Sequence, residues 1–133
     1  MDADWQGYVD VSLISTGHID QAGIYNVADE LFWAVSPGFN PTPEEMKVIV
    51  GLVKGDGELR DRAFGEGLHV AGTRYILTRA EDRSIYARSG RTGIAVAATH
   101  RTVIVAHHPE TAVAGNANST VENLADYLVG QGY

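Results

Sequence analysis

The sequence predicts an α+β fold: a central antiparallel sheet with a helix at each chain end and one or two more between strands. Three observations carry this. Five short β-like runs between residues 68 and 107 follow one another with connections far shorter than the dozen residues a parallel crossover needs, so neighbours must pair antiparallel. Apolar residues recur at helical spacing near both ends of the chain. Between those regions, Thr42-Pro43-Glu44-Glu45 reads as an N-cap, a proline at the first helical position and a capping-box glutamate.

Each element follows from local chemistry. Trp5, Tyr8, Val9 and Leu13 share one helical stripe, Asp4 can cap it and Gly17 can stop it, which predicts an amphipathic helix over about 4–15. Two strands follow, near Gly23 to Val27 and Leu31 to Ser36, joined by the polar Ala28-Asp29-Glu30 turn, with Trp33 inside the second. Met46, Ile49, Val50 and Val53 give the helix that starts at Thr42 its apolar face, and Gly55 ends it. Residues 55–67 are glycine-rich and charged and read as a surface loop. The meander comprises Leu68 to Ala71, Thr73 to Arg79, Ser84 to Arg88, Ile94 to Thr99 and Val103 to His107. A last helix runs from about Gly115 to Val129 with Val121, Leu124, Ala125 and Leu128 as its buried stripe and Gly130 at its stop.

Bulk properties narrow the function classes. A chain of 133 residues suits one domain over 1–133. It has no cysteine, which removes disulfide and thiolate-metal chemistry. The opening Met1, Asp2, Ala3 and Asp4 lack the basic-then-apolar pattern of a signal peptide, and no run approaches the roughly 20 apolar residues of a membrane span, so the cytoplasm is the expected compartment. Asn118-Ser119-Thr120 matches a glycosylation acceptor, a match without consequence in that compartment.

A formal charge of −7 argues against nucleic acid as a partner. The charge is uneven. Residues 1–66 sum to −8, whereas 67–133 sum to +1 and carry six arginines, all between Arg74 and Arg101. That local surplus points to an acidic or anionic partner.

Three sets of residues invite a functional reading. Trp5, Tyr8, Trp33, Tyr127 and Tyr133 would converge on one surface if the terminal helices pack side by side across the sheet. Such a set suits a polyproline II ligand, whose flat rings stack on aromatics and whose carbonyls accept from indole and phenol donors. The alternative is that these rings are simply core. Arg79, Arg83, Arg88 and Arg91 form the second set, and strand alternation puts Ser84, Tyr86 and Arg88 on one face. Guanidinium groups there suit carboxylates or lipid phosphates, against the alternative of a solvated face. The third set, Gly115, Asn116, Asn118, Ser119, Glu122 and Asn123, lies opposite the apolar stripe of the last helix, where pattern alone favours plain solvent exposure.

No sequence motif signals catalysis or metal binding. His107 and His108 are adjacent on a strand end, so their rings should point to opposite faces rather than to one ion. Neither a nucleophile elbow, nor a phosphate-cradling loop, nor an H-E-x-x-H helix is present. A binding protein is therefore the first expectation, and a small α+β ligand sensor or enzyme with an apolar pocket is the alternative.

Trp5-Gln6-Gly7-Tyr8-Val9-Asp10, preceded by Ala3, resembles the N-terminal signature of the profilin family. Arg79-Ala80-Glu81-Asp82-Arg83-Ser84-Ile85-Tyr86 is similar to a hairpin of fungal and amoeboid profilins, and the stretch from Val121 to Tyr133 is similar to the family's closing helix. With Trp33-Ala34 and Gly38-Phe39 the resemblance spans nearly the whole chain. It implies terminal helices packed together on one face of the sheet and shorter helices on the other. It also implies a non-enzymatic, cofactor-free protein of the cytoplasm and cytoskeleton that binds monomeric actin and regulates its polymerisation and nucleotide exchange. Proline-rich proteins such as formins would occupy a groove of Trp5, Tyr8, Trp33, Tyr127 and Tyr133. The actin face would comprise Arg79, Tyr86, Arg88, Gly115, Asn118 and Ser119, with Arg83 and Asn123 at its margin. Phosphoinositide lipids are a further implied partner of the basic surface. Two departures from the family pattern stand out: Ala114 where a proline usually precedes the helix glycine, and the charged 54–67 stretch.

Overall fold

A computed structural model describes residues 4–133; Met1, Asp2 and Ala3, the last of these part of the N-terminal motif, lie outside the described residues. Seven strands form one antiparallel sheet: β1 (Gln21–Asn26), β2 (Leu31–Val35), β3 (Leu68–Val70), β4 (Thr73–Glu81), β5 (Ser84–Ser89), β6 (Thr92–Ala98) and β7 (Thr102–His108). Their spatial order is β2-β1-β7-β6-β5-β4-β3, so the meander from β3 to β7 is continuous and the early β1–β2 hairpin adds to its far edge through β7.

Side-chain alternation divides the core in two. Val103 and Val105 of β7 face one way with Met46, Ile49 and Leu52, whereas Ile104 and Ala106 face the other with Val9, Leu13, Val121 and Leu128. The first face is covered by α2 (Pro43–Val53) and α3 (Gly57–Glu66). The N-terminal helix and α4 (Ala114–Gly130) cover the second. Because both faces are covered, β6 and β7 are apolar without interruption over Ile94–Ala97 and Val103–Ala106, all buried. On the second face the sheet offers mostly small residues, Ala22, Ala34, Ala95, Ala97 and Ala106, so the backbones of the terminal helices can approach closely.

The N-terminal helix is wound unevenly. It begins as one α-turn, α1 (Trp5–Gly7), continues with π winding over Tyr8–Leu13 and ends as a 3₁₀ turn over Ile14–Thr16. Asp4 caps it as expected, accepting from the Gly7 N–H at 2.9 Å, and Gly17 ends it at φ +81°. The wider turn keeps Val9 and Leu13 fully buried while Val11 points to solvent.

The capping box of α2 forms in full: Thr42 accepts from Glu45 N–H, and Glu45 accepts from Thr42 N–H at 2.8 Å. The same carboxylate accepts from the N–H groups of Ala71 and Gly72 in the β3–β4 turn. Burial alone would raise the Glu45 carboxyl, but these hydrogen bonds outweigh it and hold it below its ordinary value. One glutamate thus ties the start of a helix to a hairpin.

Two expectations need correction. The 55–67 stretch is the helix α3, not a loop. Asp56 accepts from Leu59 N–H at 3.1 Å, Leu59 and Ala63 turn inward one turn apart, and Arg60 lies over the Phe64 ring at 5.2 Å. Two of its four glycines, Gly55 and Gly67, delimit helices rather than loosen a loop, taking left-handed φ values at their ends. Likewise α4 runs through Gly130, and the left-handed glycine that follows it is Gly132, at φ +94°.

Candidate functional site: two surfaces divided by one helix

The terminal helices do pack side by side, antiparallel, and the five aromatic rings meet. Trp5 is the hub, with ring centroids 4.8 Å from Tyr133, 4.9 Å from Trp33 and 5.6 Å from Tyr8. Tyr8 continues the set to Tyr127 at 6.0 Å. Most contacts are edge-on, the favoured geometry for rings with negative faces and positive edges. The choice between core and surface resolves into both: Trp5, Tyr8 and Tyr133 rest their inner edges on the core, while Tyr127 is 50% exposed. The result is an aromatic shelf built from three stretches distant in sequence.

Local bonds fix the shelf. Gln6 donates to the carbonyl of Val35 at 3.3 Å and to Asp10 at 3.1 Å, which ties the N-terminal helix to β2. The Tyr133 carbonyl accepts from Arg101 N–H at 2.6 Å and from the Thr99 hydroxyl at 3.0 Å, and its own N–H donates to Leu128. The Trp33 indole N–H is already committed to Asp29 Oδ2 at 2.9 Å, so Trp33 offers a face rather than a donor. Burial, then the neighbouring Tyr127 phenol, raises the Tyr8 phenol above its ordinary value; it stays protonated and able to donate throughout the physiological range.

On the other side of α4 lies the arginine-bearing face. Tyr86, Arg88 and Asn118 line one open groove of about 450 Å³, together with Thr78, Gly90 and His108. Arg79 sits over the Tyr86 ring at 5.8 Å, and Gly115 and Ser119 are exposed on the neighbouring turns of α4. Among the described residues Arg88 forms no ion pair, whereas Arg79 pairs with Glu81 and Arg91 with Glu110 at long, exposed distances that contribute little. Sequence reasoning missed Ile76, which is 51% exposed and stands opposite Arg88 in the register. Its only signal was an apolar residue out of phase with buried Tyr75 and Leu77.

Three predicted residues have other company. Arg83 is bound to α4: its Nη2 meets Asp126 and stands 3.3 Å from Glu122 Oε1, an ion-pair distance without hydrogen-bond geometry. Burial works against its charge, but the two carboxylates outweigh that and strengthen it. Glu122 is not a solvent-facing residue, since it also accepts from Ser84 and, at 3.1 Å, from the Tyr86 phenol. Asn123 turns away from Arg79 and Arg88 and lines a cleft with Tyr8 and Tyr127. The helix α4 opens without a side-chain cap, Val113 serving as N-cap, where a proline would have rigidified the approach to Gly115.

The histidines behave as alternation requires. His107 pairs with Asp20 and packs edge-on to Tyr75, while His108 is buried on the opposite face beside Pro109. Among the described residues no group of three metal-ligating side chains comes together.

Comparison with known proteins agrees with this architecture. The profilin family model matches residues 3–133. The profilin of Schizosaccharomyces pombe is 47% identical over 129 residues, which span 97% of this chain and 98% of the relative. A crystal structure of profilin from that yeast superposes with a TM-score of 0.89 at 44% identity, covering 98% of this chain and 100% of the other. Mouse profilin IIa, solved in complex with a double repeat from the FH1 domain of mDia1, superposes with a TM-score of 0.80 at 26% identity over 98% and 100% of the two chains. The terminal helices closing over one sheet face, the joined rings and these matches together place the chain in the profilin family.

Proposed function

We propose that this protein is a single-domain, non-enzymatic binder of monomeric actin, working in the cytoplasm and cytoskeleton, that regulates actin polymerisation and nucleotide exchange and docks proline-rich segments such as those of formins. The observation that carries the reading is the convergence of Trp5, Tyr8, Trp33, Tyr127 and Tyr133 on one shelf, with α4 between it and the arginines. The FH1 repeat bound to mouse profilin IIa supports a ligand of that kind. In our reading the shelf takes the proline-rich segment, and Arg79, Tyr86, Arg88, Gly115, Asn118 and Ser119 meet actin. Arg83 serves the second surface indirectly by fixing α4 against the β4–β5 turn. Arg88, which forms no ion pair among the described residues, is also the first candidate for a phosphoinositide headgroup. Family membership and the openness of both surfaces disfavour the small-ligand sensor or enzyme.

Two charge substitutions test the division. Tyr8→Asp should abolish binding of a proline decamer, read by Trp5 and Trp33 fluorescence, and leave the protein's effect on actin polymerisation unchanged. Arg88→Glu should weaken actin binding and leave peptide binding unchanged. Loss of both activities in either folded variant would refute the two-surface reading.

A further inference from the structure

Of the two acidic side chains on α4, Asp126 stays largely in solvent whereas Glu122 turns in against the sheet. Its Oε2 accepts from both the Ser84 hydroxyl and, at 3.1 Å, the Tyr86 phenol, two residues that alternation places on one face of β5. Its Oε1 is buried without a hydrogen bond among the described residues, 3.3 Å from Arg83 Nη2. A site shaped for stability alone would satisfy both oxygens, since a buried ion pair that is imperfectly bonded scarcely offsets its desolvation. What this carboxylate does secure is the pose of Tyr86.

Tyr86 is held at both ends. Its carbonyl accepts from the Thr78 hydroxyl at 3.0 Å, and its phenol reaches Glu122 at the far end of the ring. With the phenol engaged, the ring keeps its place beside Arg88 and Asn118 in the groove, and one of its faces lies under Arg79, its register partner on β4. Asn118 stands one helical turn before Glu122, on the same flank of α4. We propose that Glu122 is a positioning residue for the actin face: it fixes the Tyr86 ring before the partner arrives, so that little of that side chain's rotational freedom is lost on binding. The inference rests on the actin-face reading above and deepens it, with Glu122 acting through Tyr86 rather than by touching the partner.

The test is a double-mutant cycle on the whole protein, with affinity for monomeric actin read from the effect on actin polymerisation. Glu122→Ala and Tyr86→Phe should each weaken binding roughly fivefold, the entropy of one side chain that must otherwise be immobilised in the complex. Because both remove the same bond, the double variant should lose no more than either alone. Glu122→Gln, whose amide oxygen can still accept from both hydroxyls, should keep most of the affinity. Burial, then the charge of Glu122, raises the Tyr86 phenol above its ordinary value, so in Glu122→Ala the tyrosine NMR resonance that Tyr86→Phe lacks should titrate at lower pH. A proline decamer should bind all of these variants as it binds the unaltered protein. Losses that add in the double variant would overturn the proposal by showing that Glu122 acts through the seating of α4 and not through Tyr86. Full affinity in Tyr86→Phe, which keeps the ring and removes only its bond, would overturn it even if Glu122→Ala proved too unstable to measure. Undiminished actin binding by Arg88→Glu would instead remove the actin-face reading on which the proposal stands.

Discussion

Removing the Tyr127 ring measures what the shelf contributes to ligand binding with least damage to the fold. Tyr127 is 50% exposed and touches only Tyr8 among the shelf rings, at 6.0 Å, whereas Trp5 touches three. A tyrosine presents roughly 200 Å², so about 100 Å² of Tyr127 faces solvent, and a ligand lying across it covers on the order of half. At about 25 cal/mol per Å² that is about 1.2 kcal/mol, or roughly eightfold in affinity. Tyr127→Ala should therefore weaken binding of a proline decamer about eightfold in a fluorescence titration. The lost edge-on pair with Tyr8 should cost about 1 kcal/mol of stability, a shift of roughly 4 °C in Tm. The effect on actin polymerisation should be unchanged, because Tyr127 lies across α4 from Arg88. Tyr127→Phe separates stacking from donation: retained affinity would assign the contribution to the ring face. Undiminished peptide affinity in Tyr127→Ala would refute the argument that the exposed ring area is a contact surface.

Other expectations concern stability. Glu45→Gln should destabilise by about 2 kcal/mol at neutral pH in urea titration, because one carboxylate now satisfies three backbone N–H groups and an amide would aim its own donors at one of them. Since the folded carboxyl titrates below its ordinary value near 4.3, its stabilisation is complete above that range and disappears as pH falls through the folded value; the gap between variant and native should close in acid and not in base. Val113→Ser should stabilise by about 1 kcal/mol in thermal melts by supplying the missing cap of α4. Ala71→Gly should stabilise by about 1 kcal/mol, because Ala71 holds a left-handed φ of +52° that glycine adopts freely; an unchanged Tm would show the strain to be absorbed elsewhere.

Much of this was legible in the sequence because the signals were local and mutually consistent. The meander strands were bracketed by turns too short for any other pairing, and Thr42-Pro43-Glu44-Glu45 forms the box its residues describe. The shelf was legible only conditionally: the residues were visible, but their meeting depended on the terminal helices sharing a sheet face, which composition does not encode. The helix α3 was missed because its glycines and charges mimic a loop, and its inward face is only Leu59 and Ala63. The π winding of the N-terminal helix leaves no periodic mark over six residues. The assignments of Arg83 and Glu122 changed for one reason, that ion pairs between a turn and a helix forty residues away depend on packing alone.

The placement of α4 has a mechanical consequence. Its inner side is locked into the core through Val121, Ala125 and Leu128, and its flanks border different surfaces, so it acts as a stiff partition. A partner gripping one flank would find the other unaltered, and the free energies of the two associations would sum without a cross term. One molecule carrying both partners then works as a passive coupler, holding each at a high effective concentration for the other by geometry alone.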